Sequence, residues 1–268
     1  MRSYICITCG TQYPPSEAPP PSCPICEDER QYVGHNGQQW TTLPQMRETH
    51  RADIREVEPE MTGIGTTPRF AIGQRALLIQ TPGGNILWDC ITLLNDEIIE
   101  RVNALGGIAA IAISHAHYYG SMIEWAHTFD APIYIHADDR EWVMRPDASV
   151  QYWSGETLPL HDDITLIRCG GHFDGAQVLH WPAGADGRGV LLSGDIVMVT
   201  ADRRYVSFMY SFPNHIPLNA SAVNRITAAL APFAYDRIYS AWYGTILPEN
   251  AQAGVAYSAK RYLEAIAD

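Results

Sequence analysis

Ile108-Ala109-Ala110-Ile111-Ala112-Ile113-Ser114-His115-Ala116-His117-Tyr118-Tyr119-Gly120 is an apolar run that stops at two histidines one residue apart. The run has the length of a buried strand, about 4–8 residues, and it follows Gly106-Gly107, which closes a helical stretch over 95–105. At the C-terminal end of a strand, side chains leave the sheet and loops converge. His115 and His117 are therefore placed to grip one ion, although an isolated pair of this kind is as readily two ordinary half-buried histidines.

Upstream, short apolar runs at 69–72, 76–80 and 85–88 are separated by Gly73 and by Pro82-Gly83-Gly84, the pattern of antiparallel strands. Downstream, a helix over 121–129, a strand over 132–135 and a helix over 137–143 make a β-α-β unit. The second half repeats the order, with strands at 165–168, 177–181 and 189–192, a helix at 219–230, a strand at 237–240 and a closing helix at 251–267. Hairpins followed by βα units, twice over, predict an α/β fold of two sheets packed face to face with helices outside. In this half, Gly170-Gly171-His172-Phe173-Asp174-Gly175 sets a histidine in a glycine-flanked loop, and Leu192-Ser193-Gly194-Asp195 sets a carboxylate directly after a strand.

This order of motifs resembles the metallo-β-lactamase superfamily, over about 68 to the end of the chain. The resemblance implies a four-layer αβ/βα sandwich, with His115, His117 and His172 matching the histidines of the family's first metal site and Asp195 its bridging aspartate. Asp89, in Leu87-Trp88-Asp89-Cys90, matches an aspartate that supports the metal loop from behind. The departures fall together. Where the family's H-x-H-x-D-H motif has Asp and His, this chain has Tyr119 and Gly120, and the late strand end that should carry a histidine reads Ala241-Trp242-Tyr243-Gly244. Glycine offers no side-chain ligand, and a neutral phenol with a pKa of about 10 is a poor one.

One ion is expected, held by His115, His117, His172 and Asp195. Zinc there would draw the pKa of a water from about 15.7 toward about 7 for attack on an ester, thioester or lactone carbonyl. Iron(II) would instead suit oxygen chemistry on a thiol or persulfide, and a third reading is a metal-binding protein without turnover. The catalytic set is expected to be Asp195, Tyr119 and Tyr243. The two phenols face the vacated second-metal region, either donating to a developing oxyanion or filling space.

Four of the six cysteines lie in the first 26 residues, as Cys6-Ile7-Thr8-Cys9-Gly10 and Cys23-Pro24-Ile25-Cys26. Two C-x-x-C turns in a segment too poor in apolar residues to form a core predict a tetrahedral site for one zinc or iron. The knuckles are similar to those of a rubredoxin-like zinc ribbon. The shorter spacer favours structural zinc, so 1–33 is expected to be a small metal-held module, 34–67 a linker, and 68–268 the main domain. Cys90 and Cys169, each alone, are expected to be small buried hydrophobes.

A chain of 268 residues can bury a sizeable core, and a formal charge of −12 disfavours phosphate backbones and anionic lipid. With no apolar run of about 20 residues and no secretory leader pattern, the expected setting is the cytoplasm, and the expected partner a small-molecule substrate. The aromatic stretch 203–217 reads equally as a substrate-pocket wall and as a dimer contact or core. His127, His136, His161 and His180 fall outside the motifs.

Overall fold

A computed structural model describes residues 1–267, so the last residue of the expected main domain, Asp268, lies outside the described residues. The chain divides into two compact units, residues 1–135 with 139–152 and residues 136–138 with 153 onward.

The first unit is built on a seven-stranded sheet in the order Val150–Trp153, Ile133–His136, Ala110–Ala112, Ile86–Trp88, Ala76–Ile79, Met61–Thr67, Arg51–Glu58. Ile86–Trp88 runs parallel to Ala110–Ala112, which runs parallel to Ile133–His136, whereas the pairings from Ile86–Trp88 out to Arg51–Glu58 are antiparallel. Helix Asp96–Ala104 buries Ile98 and Val102 and is capped by the Asn95 side chain, which accepts from the Ile98 amide. Helix Met122–Phe129 buries Met122, Ile123, Trp125 and Ala126. It ends at Asp130 in the left-handed region.

Three expectations change here. Residues 34–67 are not a linker: they carry Trp40–Thr41, helix Leu43–Thr49 and the long hairpin Arg51–Glu58/Met61–Thr67. Arg51–Glu58 is an edge strand whose charged alternation mimics a solvated linker, and Gly63 and Gly65 dilute the signal of its buried partner. Residues 69–72 are not a strand. Ala71 and Gly73 take positive φ, and the Arg69 guanidinium folds back onto the Ile72 carbonyl. Residues Ala137–Trp142 form 3-10 turns, not an α-helix, and the His136 ring already accepts from the Asp138 amide at 3.2 Å.

The ribbon belongs to this unit. Arg2–Cys6 pairs with Gln12–Ser16 on one side and with Trp40–Thr41 on the other, so the small sheet extends past the expected boundary at 33. It is also tied to the larger sheet's loops, for the Thr92 hydroxyl donates to the Gly10 carbonyl at 2.8 Å and the Gln12 amide to the Gly120 carbonyl at 2.9 Å.

The second unit holds a six-stranded sheet in the order Thr157–Pro159, Thr165–Arg168, Gln177–Trp181, Val190–Gly194, Arg237–Ser240, Ile246–Leu247. Only the pairing of Val190–Gly194 with Arg237–Ser240 is parallel. Helix Ala220–Leu230 buries Val223, Ile226 and Leu230, and Asn219 caps it by accepting from the Ala222 amide. Helix Ala251–Ala265 buries Ala251, Val255 and Ala259. Cys90, in the first unit, and Cys169, in the second, are wholly buried, as expected of lone cysteines.

Candidate metal centres

In the ribbon, Cys6 Sγ lies 3.5 Å from Cys26 Sγ, and Cys9 Sγ lies 3.6 Å from Cys23 Sγ. Sulfurs at about 2.3 Å from one tetrahedral zinc stand about 3.8 Å apart, whereas a disulfide would bring them to about 2.05 Å. All four thiols are buried and free of disulfides. Hydrogen bonds with Cys23, Cys26 and Cys9 hold the Cys6 thiol far below its ordinary range, while those with Cys23, Cys26 and Cys6 push Cys9 far above it. Thiols this crowded compete for protons, a conflict that a divalent cation resolves by taking all four as thiolates. The Gln38 amide donates to Cys6 Sγ at 3.2 Å, so the segment expected to be a linker supplies a second-layer contact to the ribbon.

At the end of Ala110–Ala112, the Asp89 amide donates to the Ala112 carbonyl and the Ser114 amide to Asp89 Oδ1, both at 2.8 Å. Asp89 thus holds the exit of the histidine strand, from a left-handed conformation with φ 58°. The chain then turns through the short 3-10 helix Ala116–Tyr118, which sets the His115 and His117 rings 5.0 Å apart at 74°. His115 Nδ1 sits 3.1 Å from the Ser114 hydroxyl, so an ion would be met by Nε2. Both histidines are buried.

In the second unit, Gly170 and Gly171 take φ of 67° and 84° to carry His172 into its loop, and a Cβ on Gly171 would press on Leu218 and Ile226. His172 Nδ1 donates to the Met209 carbonyl at 3.2 Å, which fixes the tautomer with Nε2 as the lone-pair nitrogen. Phe173 stands edge-on against the ring at 5.2 Å. Gly194, with φ 56°, breaks the register with Arg237–Ser240 and delivers Asp195. Asp195 Oδ1 lies 3.9 Å from His172 Nε2. That is too long for a hydrogen bond and short enough for two ligands of one ion, whose bonds of about 2.1 Å span up to roughly 4.2 Å. His115, His117, His172 and Asp195 each offer a ligand atom, and these atoms all lie within 4.8 Å of one another, as do those of the four ribbon cysteines.

A curated protein of Bacillus subtilis, the uncharacterized protein YmaE, is 52% identical to this chain over 268 residues, covering 99% of this chain and 97% of YmaE. The chain belongs to the YmaE family. No family model matches it. Among solved structures, VMB-1 matches with a TM-score of 0.60 at 15% identity, covering 80% of this chain and 98% of its own. A B3 metallo-β-lactamase with an active-site glutamic acid matches with a TM-score of 0.57 at 18% identity, covering 84% and 94%. This YmaE-family chain has the metallo-β-lactamase fold.

Against that fold the departures acquire a cause. Gly120 has φ 52°, and a Cβ there would stand 2.7 Å from the Ile91 carbonyl carbon and 2.8 Å from its oxygen. A histidine has no room on this backbone. Tyr119 is 1% exposed, and burial, with Asp139 and Tyr152 nearby, pushes its phenol well above the usual range. Its hydroxyl has no hydrogen-bond partner among the described residues. Tyr243, in the second unit, lies past Arg237–Ser240 in a turn and is partly exposed.

The stretch 203–217 folds within the second unit as two short hairpins. Phe208 is wholly buried there, and Phe212 lies 6.3 Å from the His172 ring. The Met209 carbonyl and the Ser114 hydroxyl were not legible as site groups, since neither position bears a motif. Among the described residues, no helix is long and apolar enough to cross a membrane.

Proposed function

We propose that this chain is a mononuclear metal-dependent hydrolase acting on the carbonyl of a small ester, thioester or lactone. The observation that carries the reading is the donor set: three histidines and one carboxylate, all buried, with their ligand atoms within 4.8 Å of one another. The same loop carries Gly120, where a second-metal histidine is sterically excluded. Three neutral nitrogens and one carboxylate suit a divalent ion with a position open to water. When bound, zinc would supply a water acidic enough to act as hydroxide near neutral pH.

The chain's own residues do the rest. Ser114 and the Met209 carbonyl orient His115 and His172 through their Nδ1 atoms, leaving Nε2 to ligate. Asp195, 5% exposed, completes the donor set and accepts the proton of the attacking water. Tyr119 and Tyr243 are the candidate oxyanion donors in place of a second cation.

The test pairs two variants on a panel of ester, thioester and lactone substrates. His172→Ala should lose the site's zinc and turnover together. Tyr119→Phe should keep the zinc and lose about 10²–10³ in rate if its hydroxyl is a donor. Purification with one iron per chain at this site would replace hydrolysis with the oxygen chemistry expected for iron. A zinc-loaded chain inert across the panel would leave a binding protein.

A further inference from the structure

We propose that the cysteine ribbon is a positioning element for the H-x-H loop, so that metal in the ribbon sets the affinity of the histidine centre for its own ion. The proposal rests on the reading of His115 and His117 as ligands, and the coupling itself is legible in the first unit alone.

Every link from thiol to loop is short and buried. Gly10, next to Cys9, donates its amide to the Cys6 carbonyl at 2.8 Å and accepts from Thr92 Oγ1 at 2.8 Å. Two residues on, the Gln12 amide donates to the Gly120 carbonyl at 2.9 Å, three residues past His117. The backbone of 90–92 is gripped from the loop side as well. The Cys90 amide donates to the Tyr118 carbonyl at 3.2 Å, Ser121 Oγ to the Thr92 carbonyl at 2.8 Å, and Trp125 Nε1 to the Ile91 carbonyl at 3.1 Å. Arg145 donates to the Gln12 side chain and, at 2.7 Å, to Glu124 in the helix that follows the loop.

No slack remains in this sandwich of ribbon, turn and loop. A Cβ on Gly10 would lie 2.6 Å from Thr92 Oγ1, and one on Gly120 would lie 2.7 Å from the Ile91 carbonyl carbon. The glycine that displaces the second-metal histidine is also the residue whose carbonyl receives the ribbon.

The energetics run in one direction. A segment with so few buried apolar side chains, chiefly Ile5, Tyr13 and Ile25, depends on its ion for its fold. Without that ion, the Gly10 carbonyl and the Gln12 amide lose their fixed positions, and the loop at 118–121 loses the partners that order it. Metal binding at the histidines must then pay the ordering entropy itself, which lowers its affinity. By linkage, filling the histidine centre raises the ribbon's affinity by the same factor.

The experiment uses the full chain with zinc, measuring zinc per chain, affinity of the histidine centre by chelator competition, and amide hydrogen exchange over 115–122. Cys23→Ser should lose the ribbon zinc, speed exchange at 118–122 by at least about tenfold, and leave the histidine centre unfilled at zinc levels that saturate it in the natural chain. Thr92→Val keeps the four thiols and the size of the side chain while deleting one bond. It should retain the ribbon zinc and weaken the histidine centre about 3- to 10-fold, the worth of one net hydrogen bond. If Cys23→Ser does not fold, Thr92→Val decides alone.

Unchanged exchange over 118–122 with unchanged affinity in either folded variant would overturn the proposal. Should the natural chain bind only the ribbon zinc, the proposed hydrolytic centre fails, and the exchange measurement still decides whether ribbon and loop are coupled.

Discussion

Gly120 shows how one residue type carries both a loss and a gain. Its φ of 52° and the 2.7 Å approach of the Ile91 carbonyl carbon to any Cβ exclude side chains on steric grounds alone. Gly120→His, made with Tyr119→Asp and Tyr243→His to restore the three missing second-site ligand types, should therefore not bring the zinc count at the histidine centre from one to two. It should lower the urea midpoint instead, and elemental analysis with an unfolding curve checks both.

His180 gives a second test at this scale. It is 7% exposed, its Nε2 donates to the Ala234 carbonyl at 2.8 Å, and burial holds its pKa below the ordinary value. The unfolded chain takes up that proton near pH 6.5 while the folded chain resists it. Stability is therefore fully present above about pH 6.5 and falls as the pH drops toward the lowered folded value. His136, also lowered chiefly by burial, acts with the same sign. Urea midpoints at pH 7.5 and 5.5 should fall with acid, and His180→Gln should reduce that fall.

At the scale of elements, the helices were the most legible parts, since each announces itself by an apolar stripe and a polar cap. Asn95 before 96–104 and Asn219 before 220–230 both accept the amide three residues on. Asn219→Ala should cost about 0.5–2 kcal/mol, read as a lowered unfolding midpoint with zinc content unchanged. The hairpin Arg51–Glu58/Met61–Thr67 was illegible for a physical reason: an edge strand pairs through its backbone, and Arg51, Asp53, Arg55, Glu56 and Glu58 look like any solvated stretch. Residues 69–72 failed the other way. Their apolar side chains suit a strand, but a left-handed Ala71 followed by Gly73 turns the backbone out of one.

For the whole molecule, the charge of −12 sets a long-range field that no single site contact reveals. An anionic carbonyl substrate would be repelled on approach and a cationic one drawn in, each less so as salt rises. Raising ionic strength from about 20 to 200 mM should therefore improve kcat/KM for an anionic ester by a factor of about 2 to 10 and reduce it for a cationic analogue. Initial rates on a matched pair of substrates check the sign.

What the sequence determined by itself was chemistry that depends on near neighbours along the chain. Two C-x-x-C turns aim thiols at one point, and an H-x-H at a strand end aims imidazoles. Tyr119 and Gly120 cannot replace an aspartate and a histidine, whatever surrounds them. Only the tertiary structure decided what touches these groups: the Met209 carbonyl on His172, Gln38 on Cys6, and the ribbon seated on Thr92 and Gly120. Those contacts join residues tens of positions apart through backbone carbonyls and amides, which every residue carries alike. Spacing cannot encode them, and burial with close packing selects them once the chain has folded.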